Sequence, residues 1–230
     1  MKKRIIFYFC VLITITIVVV YIYNVLHKHP TSRDYIYMAG MRSASLIEIN
    51  TEEIYGLLPQ NLNNFENWFT NDKLEKLYIY YNNLSYTLDT FLFLNSSLNS
   101  NYLHFCRKIR PLYDNIFYLI LYSSHDSKDL YMIRVNGIPI QVKSFYQKYA
   151  IEKQKINKYD EEYYQYLRQL LVRITDQVFE AKYYGDTKTY PIFLKKDLPK
   201  ILDLEKEFNK KTEEYLKKIG LYDKYAKQQE

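Results

Sequence analysis

The run Ile5–Leu26 contains 22 residues and not one charge. Wound as an α-helix it extends about 33 Å, close to the ~30 Å hydrocarbon core of a bilayer. A cleaved export signal has a shorter apolar region, about 7–15 residues, ending in small residues. Here the run ends in "YIYNVLHKHP", which offers no such site. Cys10 follows the bulky Phe9 inside "IFYFC", and the run continues beyond it, a poor lipoprotein pattern. Phe7, Tyr8 and Phe9 at one end and Tyr21 and Tyr23 at the other suit two membrane interfaces. The β-branched stretch "ITITIVVV" would suit a strand in water, but a lone strand in lipid leaves its backbone unsatisfied. The expectation is a retained transmembrane helix over 5–26.

That expectation divides the chain. Residues 1–4 become a cytoplasmic tail, 27–50 a juxtamembrane tether and 51–230 an extracytoplasmic domain. Lys2, Lys3 and Arg4 precede the helix on a very short tail, while Lys28, Arg33 and Arg42 follow it, spread out around Asp34. Dense cations stay inside, which sets the orientation. His27 and His29 reverse the balance only if protonated.

Charge narrows the partners. Of the net +6, the residues before 35 hold five cations and one anion, leaving only +2 for residues 35–230. A nucleic-acid reader needs a concentrated basic face, so no nucleic-acid partner is expected; lipid, through residues 5–26, and a protein are. Cys10 lies in the apolar run and Cys106 is the only other cysteine. The outer domain therefore has no internal disulfide and no cysteine metal site. The 27 tyrosines invite a carbohydrate-stacking role. Many fall at helical core spacing, however, and the Tyr bias is chain-wide, which favours burial.

The expected fold class is α+β and helix-rich: the membrane helix, then a helical domain with a small antiparallel hairpin or meander. Ser45–Ile49 reads as a short strand and Thr51 as the N-cap of a short helix ended by Gly56 and Pro59. Phe65, Trp68 and Phe69 share a face and plug the core. Asp72 with Glu75 reads as a capping box. Leu74, Leu77, Tyr81, Leu84, Leu88 and Phe91 then alternate at spacings of 3 and 4, a helix seam, broken by Asn95–Asn101. Pro111 opens or kinks a helix. Residues 115–124 fit strand and helix equally. "LYMIRV-NG-IPIQV" reads as a hairpin, because both central residues of a type I′ turn need positive φ. Pro139 sets its second run at a sheet edge. Ser144 with Gln147 offers a further capping box. A helix over Asp160–Tyr184, stopped by Gly185, buries Tyr163, Leu167, Leu170, Ile174, Val178 and Ala181. Asp197 opens a last helix burying Ile201, Leu204, Phe208, Thr212, Tyr215 and Ile219 up to Gly220. Glu207–Lys211, Glu213–Lys217 and Glu214–Lys218 are its i,i+4 pairs, and "LYDKYAKQQE" frays.

Reactive constellations are sparse. His104 and Cys106, two residues apart on a helix, point away from each other. His125, Asp126 and Asp129 in "HDSKD" supply part of a metal site or of a hydrolase or transferase site, without a partner at known spacing. Asp160, Glu161 and Glu162 read as anions at a helix N-terminus rather than a catalytic pair. The sequons at Asn83 and Asn95 match a common pattern. No phosphate loop, G-x-S-x-G or H-E-x-x-H occurs. No catalytic, cofactor-binding or metal residue is assigned. The expected role is a membrane-anchored protein whose outer domain holds a partner protein or forms part of an envelope assembly. The alternatives are a membrane-tethered immunity protein that neutralises a toxin, and an envelope hydrolase or transferase at His125–Asp129.

Overall fold

A computed structural model describes residues 16–18, 32–98, 101–122, 131–178 and 197–226. The chain forms two units, Met1–Ala39 and Gly40–Glu230. In the first, Thr16, Ile17 and Val18 are helical, with Ile17 and Val18 exposed. The rest of the 5–26 run lies outside the described residues. Among the described residues no helix is long and apolar enough to cross a membrane.

Ser32–Leu57 is one continuous helix, α1, where the sequence suggested a tether, a strand at Ser45–Ile49 and a cap at Thr51. The physical reason is the period. Ser43, Ile47, Asn50, Thr51 and Ile54 are buried, spaced as one helical face. Thr51 is no cap: its hydroxyl donates back to the Ile47 carbonyl at 2.8 Å, and the Asn50 amide donates to Leu46 O at 2.6 Å. Both polar side chains thus satisfy themselves inside the helix.

A 3₁₀ turn, Leu62–Asn64, and a short helix α2, Phe65–Trp68, follow. Phe65 is fully buried, while Trp68 and Phe69 are half-buried. Helix α3 spans Asn71–Leu98 and α4 spans Asn101–Leu121. Thr70 caps α3 in place of Asp72, its hydroxyl accepting the Lys73 N–H at 3.3 Å; Asp72 instead pairs with Lys76 at 2.9 Å. The helix also runs through Asn95, further than expected.

The 3-4 seam of α3 is buried at Leu77, Tyr81, Leu84, Leu88 and Phe91. It packs on α4, where Ile109, Leu112, Tyr113, Ile116, Phe117 and Ile120 are buried. Each such Leu or Ile contributes about 1.5–3 kcal/mol. Tyr81 stacks on Phe117 with centroids 3.7 Å apart. Residues 115–121 are therefore helix, because their apolar run meets a helical groove, and Pro111 lies inside α4 rather than opening it.

The sheet has two strands, β1 (Tyr131–Val135) and β2 (Ile138–Val142). Val135 pairs with Ile138 around Asn136 (φ 52°) and Gly137 (φ 85°), the type I′ geometry expected. Ile133, Val135, Ile140 and Val142 face the core. Among the described residues no third strand forms, since residues 115–121 are helical.

Helix α5 is Lys158–Val178 and α6 is Asp197–Lys218, packed on each other and on α4. Tyr163, Leu167, Leu170 and Ile174 of α5 are buried, as are Ile201, Leu204, Phe208, Thr212 and Tyr215 of α6. Val178, Ala181 and Gly185 lie outside the residues whose side chains are described. The expected tail is a short helix, α7 (Tyr222–Ala226), packed against β2. Of the i,i+4 pairs expected on α6, Glu213–Lys217 forms. Glu207 turns to Arg173 of α5 (2.7 Å) and Lys211 to Glu214 (3.6 Å), because a bidentate guanidinium outcompetes a solvated lysine.

Candidate functional site

The densest buried chemistry converges on Asp160, whose side chain is 1% exposed. Asn157 places it: the Asn157 Oδ1 accepts the Asp160 N–H at 2.9 Å, capping α5 so that Asp160 enters its first turn, where the helix dipole favours an anion. The remaining partners come from elsewhere. Between β2 and α5 the chain makes a π-helical turn, Gln147–Ile151, opened by Ser144 Oγ accepting the Gln147 N–H at 3.0 Å. The wide turn closes with Glu152 N–H on Gln147 O at 3.0 Å, and Lys153 then takes φ 51°. Such turns often mark functional or strained segments.

The π turn carries Lys148 and Tyr149 to the carboxylate. Lys148 Nζ reaches Asp160 Oδ2 at 2.9 Å and Tyr215 Oη at 3.0 Å. Tyr149 donates to the same Oδ2, and Tyr215 donates to Oδ1 at 2.9 Å. Three segments, the π turn, α5 and α6, meet on one carboxylate. Burial, then the adjacent Asp160, pushes the Tyr215 hydroxyl well above the ordinary tyrosine range and does the same at Tyr149. Both hydroxyls are therefore donors at neutral pH.

Chemically this arrangement is a clamp. A general base needs a lone pair within reach of a substrate proton, but the Asp160 oxygens already accept three internal donors. The adjoining cavity, bordered by Leu119, Phe145, Lys148, Tyr163, Tyr215 and Leu221, is about 10 Å³, near the size of one water molecule.

A second polar set holds the end of α1. Leu57 O accepts Trp68 Nε1–H at 2.8 Å, Pro59 O accepts the Tyr164 hydroxyl at 2.6 Å, and Gln60 O accepts Arg168 Nη1–H at 3.2 Å. Gln165 also donates to Gln60 O, and the Leu62 N–H donates to Glu161 Oε2 at 2.8 Å. Arg168 is only 8% exposed, and its guanidinium lies over the Tyr55 ring at 4.5 Å. A third set ties α3 to α4: Tyr81 donates to Asp114 at 2.6 Å, and Arg110 contacts Asp114 and Asp89.

Of the carboxylates read as helix-terminal anions, Asp160 and Glu161 sit in the first turn of α5 and Glu162 just past it, and Asp160 and Glu161 are each bound to other segments. Lys148 and Tyr149 escaped sequence reading, because a π turn leaves no periodic trace. The Asn157-x-x-Asp160 spacing was the available signal. His125, Asp126 and Asp129 lie outside the described residues, and the side chains of His104 and Cys106 are likewise not described. Among the described residues no group of three His, Cys, Asp or Glu is placed to hold a metal. The chain matches no protein-family model, no curated protein and no solved structure.

Proposed function

We propose that residues 5–26 anchor the chain in a bilayer, with the N-terminus cytoplasmic and the helical domain extracytoplasmic. On this reading the domain holds a partner protein or serves as a fixed part of an envelope assembly. The 22-residue uncharged run supports the anchor. The binding role is carried by the outward face of α3. There Ile79 and Tyr86, seven residues apart, are 49% and 76% exposed, with Phe93 exposed a further seven along. Large apolar side chains aligned on an outer helix face suit a protein contact, where aromatics carry much of the affinity.

Two measurements test this reading. Carbonate-washed membranes retain the full chain but release a chain lacking residues 1–30; full-length protein in the soluble fraction overturns the anchor. A photo-crosslinking residue placed at 86 in intact cells gives a discrete protein adduct, whereas one at Lys206 on the polar face of α6 does not. No adduct at 86 overturns the docking face.

A second reading, a membrane-tethered immunity protein, draws on α1, where exposed Leu46 and Ile49 lie beside exposed Glu48, Glu52 and Glu53. That face suits a cationic toxin. Capture that survives 1 M salt, on the order of a 3 Å screening length, counts against it.

A further inference from the structure

The tip of the β1–β2 hairpin joins three features. Asn136 precedes Gly137, and both are exposed. The ladder bonds of a two-residue turn belong to its flanking pair, here Val135 and Ile138, so the Gly137 N–H stands outside the ladder. A Cβ built on Gly137 meets nothing within 4 Å, so nothing crowds the approach to its nitrogen from that side. Third, the Asn136 side-chain amide is held from outside the hairpin: Nδ2 donates to Glu213 Oε2 of α6 at 2.6 Å, and Lys217 pairs with the same glutamate.

We propose that Asn136–Gly137 is a site of spontaneous deamidation, and that Glu213 sets its rate by holding the amide. A base removes the Gly137 amide proton, and the nitrogen attacks Asn136 Cγ. A Cγ–N bond forms, the Cγ–Nδ2 bond breaks, and ammonia leaves with a proton, giving a cyclic imide. Water then opens either carbonyl of the ring, yielding aspartate or isoaspartate. No oxidant or reductant enters.

The attack requires the side chain to rotate toward the Gly137 nitrogen, which the carboxylate of Glu213 resists as long as it holds Nδ2. The products reverse that attraction. Aspartate sets a second carboxylate against Glu213, where like charges repel. Isoaspartate lengthens the backbone inside a two-residue turn, so Val135 and Ile138 no longer close the ladder. In either case the hairpin tip separates from α6.

The test incubates the folded full-length chain at mildly alkaline pH, which favours loss of the Gly137 amide proton. Conversion of the peptide containing residue 136 is followed by mass spectrometry and by chromatographic separation of isoaspartate. Glu213→Ala is expected to deamidate at Asn136 about tenfold faster than the unaltered chain, equivalent to releasing about 1.4 kcal/mol of charge-assisted hydrogen bonding. Glu213→Gln, which keeps an acceptor, falls between them. In denaturant the three chains convert at one common rate, because only the folded contact distinguishes them. Thermal unfolding of each variant establishes that the folded state is what was incubated. Equal rates for the folded unaltered and Glu213→Ala chains overturn the control by Glu213. Absence of conversion in the folded Glu213→Ala chain overturns the site itself.

Discussion

Helices α1 and α6 end by opposite means. At the end of α6, Leu221 N–H reaches Leu216 O at 2.9 Å and Gly220 N–H reaches Lys217 O at 3.0 Å, with Gly220 at φ 72°. That is a Schellman closure, completed by Lys217 and Lys218 in the last turn. Everything it needs lies within six residues. Helix α1 has no basic residue in its last turn; its Leu57 carbonyl accepts from Trp68, and the carbonyls of Pro59 and Gln60 just beyond it accept from Tyr164, Gln165 and Arg168. The three from α5 lie about a hundred positions away in the chain. One terminus is closed by its own neighbours; the segment leaving the other is held by a helix about a hundred positions away.

The sharpest break in this contrast comes from Asp160, which sits in the first turn of the helix that carries the remote latch. Asp160→Ala leaves the partly buried Lys148 without its counter-charge and two hydroxyls without an acceptor. The expected loss is about 3–5 kcal/mol, measured by urea unfolding. Tyr164→Phe at the remote latch strands the Pro59 carbonyl and costs about 1–3 kcal/mol. Hydrogen exchange then rises first in the last turn of α1. Gly220→Ala at the local end costs about 1 kcal/mol, the strain of a left-handed alanine, and leaves exchange in α1 unchanged.

Arg168→Met changes stability by less than about 1 kcal/mol. The lost carbonyl bond and Tyr55 contact are offset because a cation is no longer buried. A loss as large as that of Tyr164→Phe would identify the guanidinium as the main element of the latch.

The smallest effect is in pH. Bonding to Arg173 lowers the Glu207 carboxyl below its ordinary value of 4.5, and bonding to Lys143 lowers Glu152 likewise. A lowered folded value contributes stability that is complete above 4.5 and is lost as pH falls through the folded value. Glu207→Gln flattens that acid limb slightly.

The same contrast explains what the sequence could tell. The seam of α3, the Asn136–Gly137 turn and the Gly220 stop are encoded by neighbours a few residues apart, and all three were legible. Ser45–Ile49 differs from its sequence reading because the short stretch Ile47-Glu48-Ile49 alternates like a strand, whereas the helical period emerges only from Ser43 through Ile54. Residues 115–121 stayed open for a similar reason: a solid apolar run fits either state until its partner is known. The Asp160 cluster joins residues 148, 149, 160 and 215 from three segments, with no common spacing for a reader to find. The tyrosines follow suit. Tyr163 meets Thr212 and Tyr113 meets Thr175, each at 2.7 Å, so part of that abundance serves interior hydroxyl pairing.

The widened turn at Gln147–Ile151 amounts to an insertion of a single amino acid into what would otherwise be ordinary helix. Excising one residue there, for example Ala150, should be tolerated by the local backbone. The side chains before the excision would then swing by about 100° relative to those after it. Lys148 and Tyr149 would no longer point at the carboxylate they share. A gene shortened by one codon at this point should therefore yield a well-formed helix and a weakened protein.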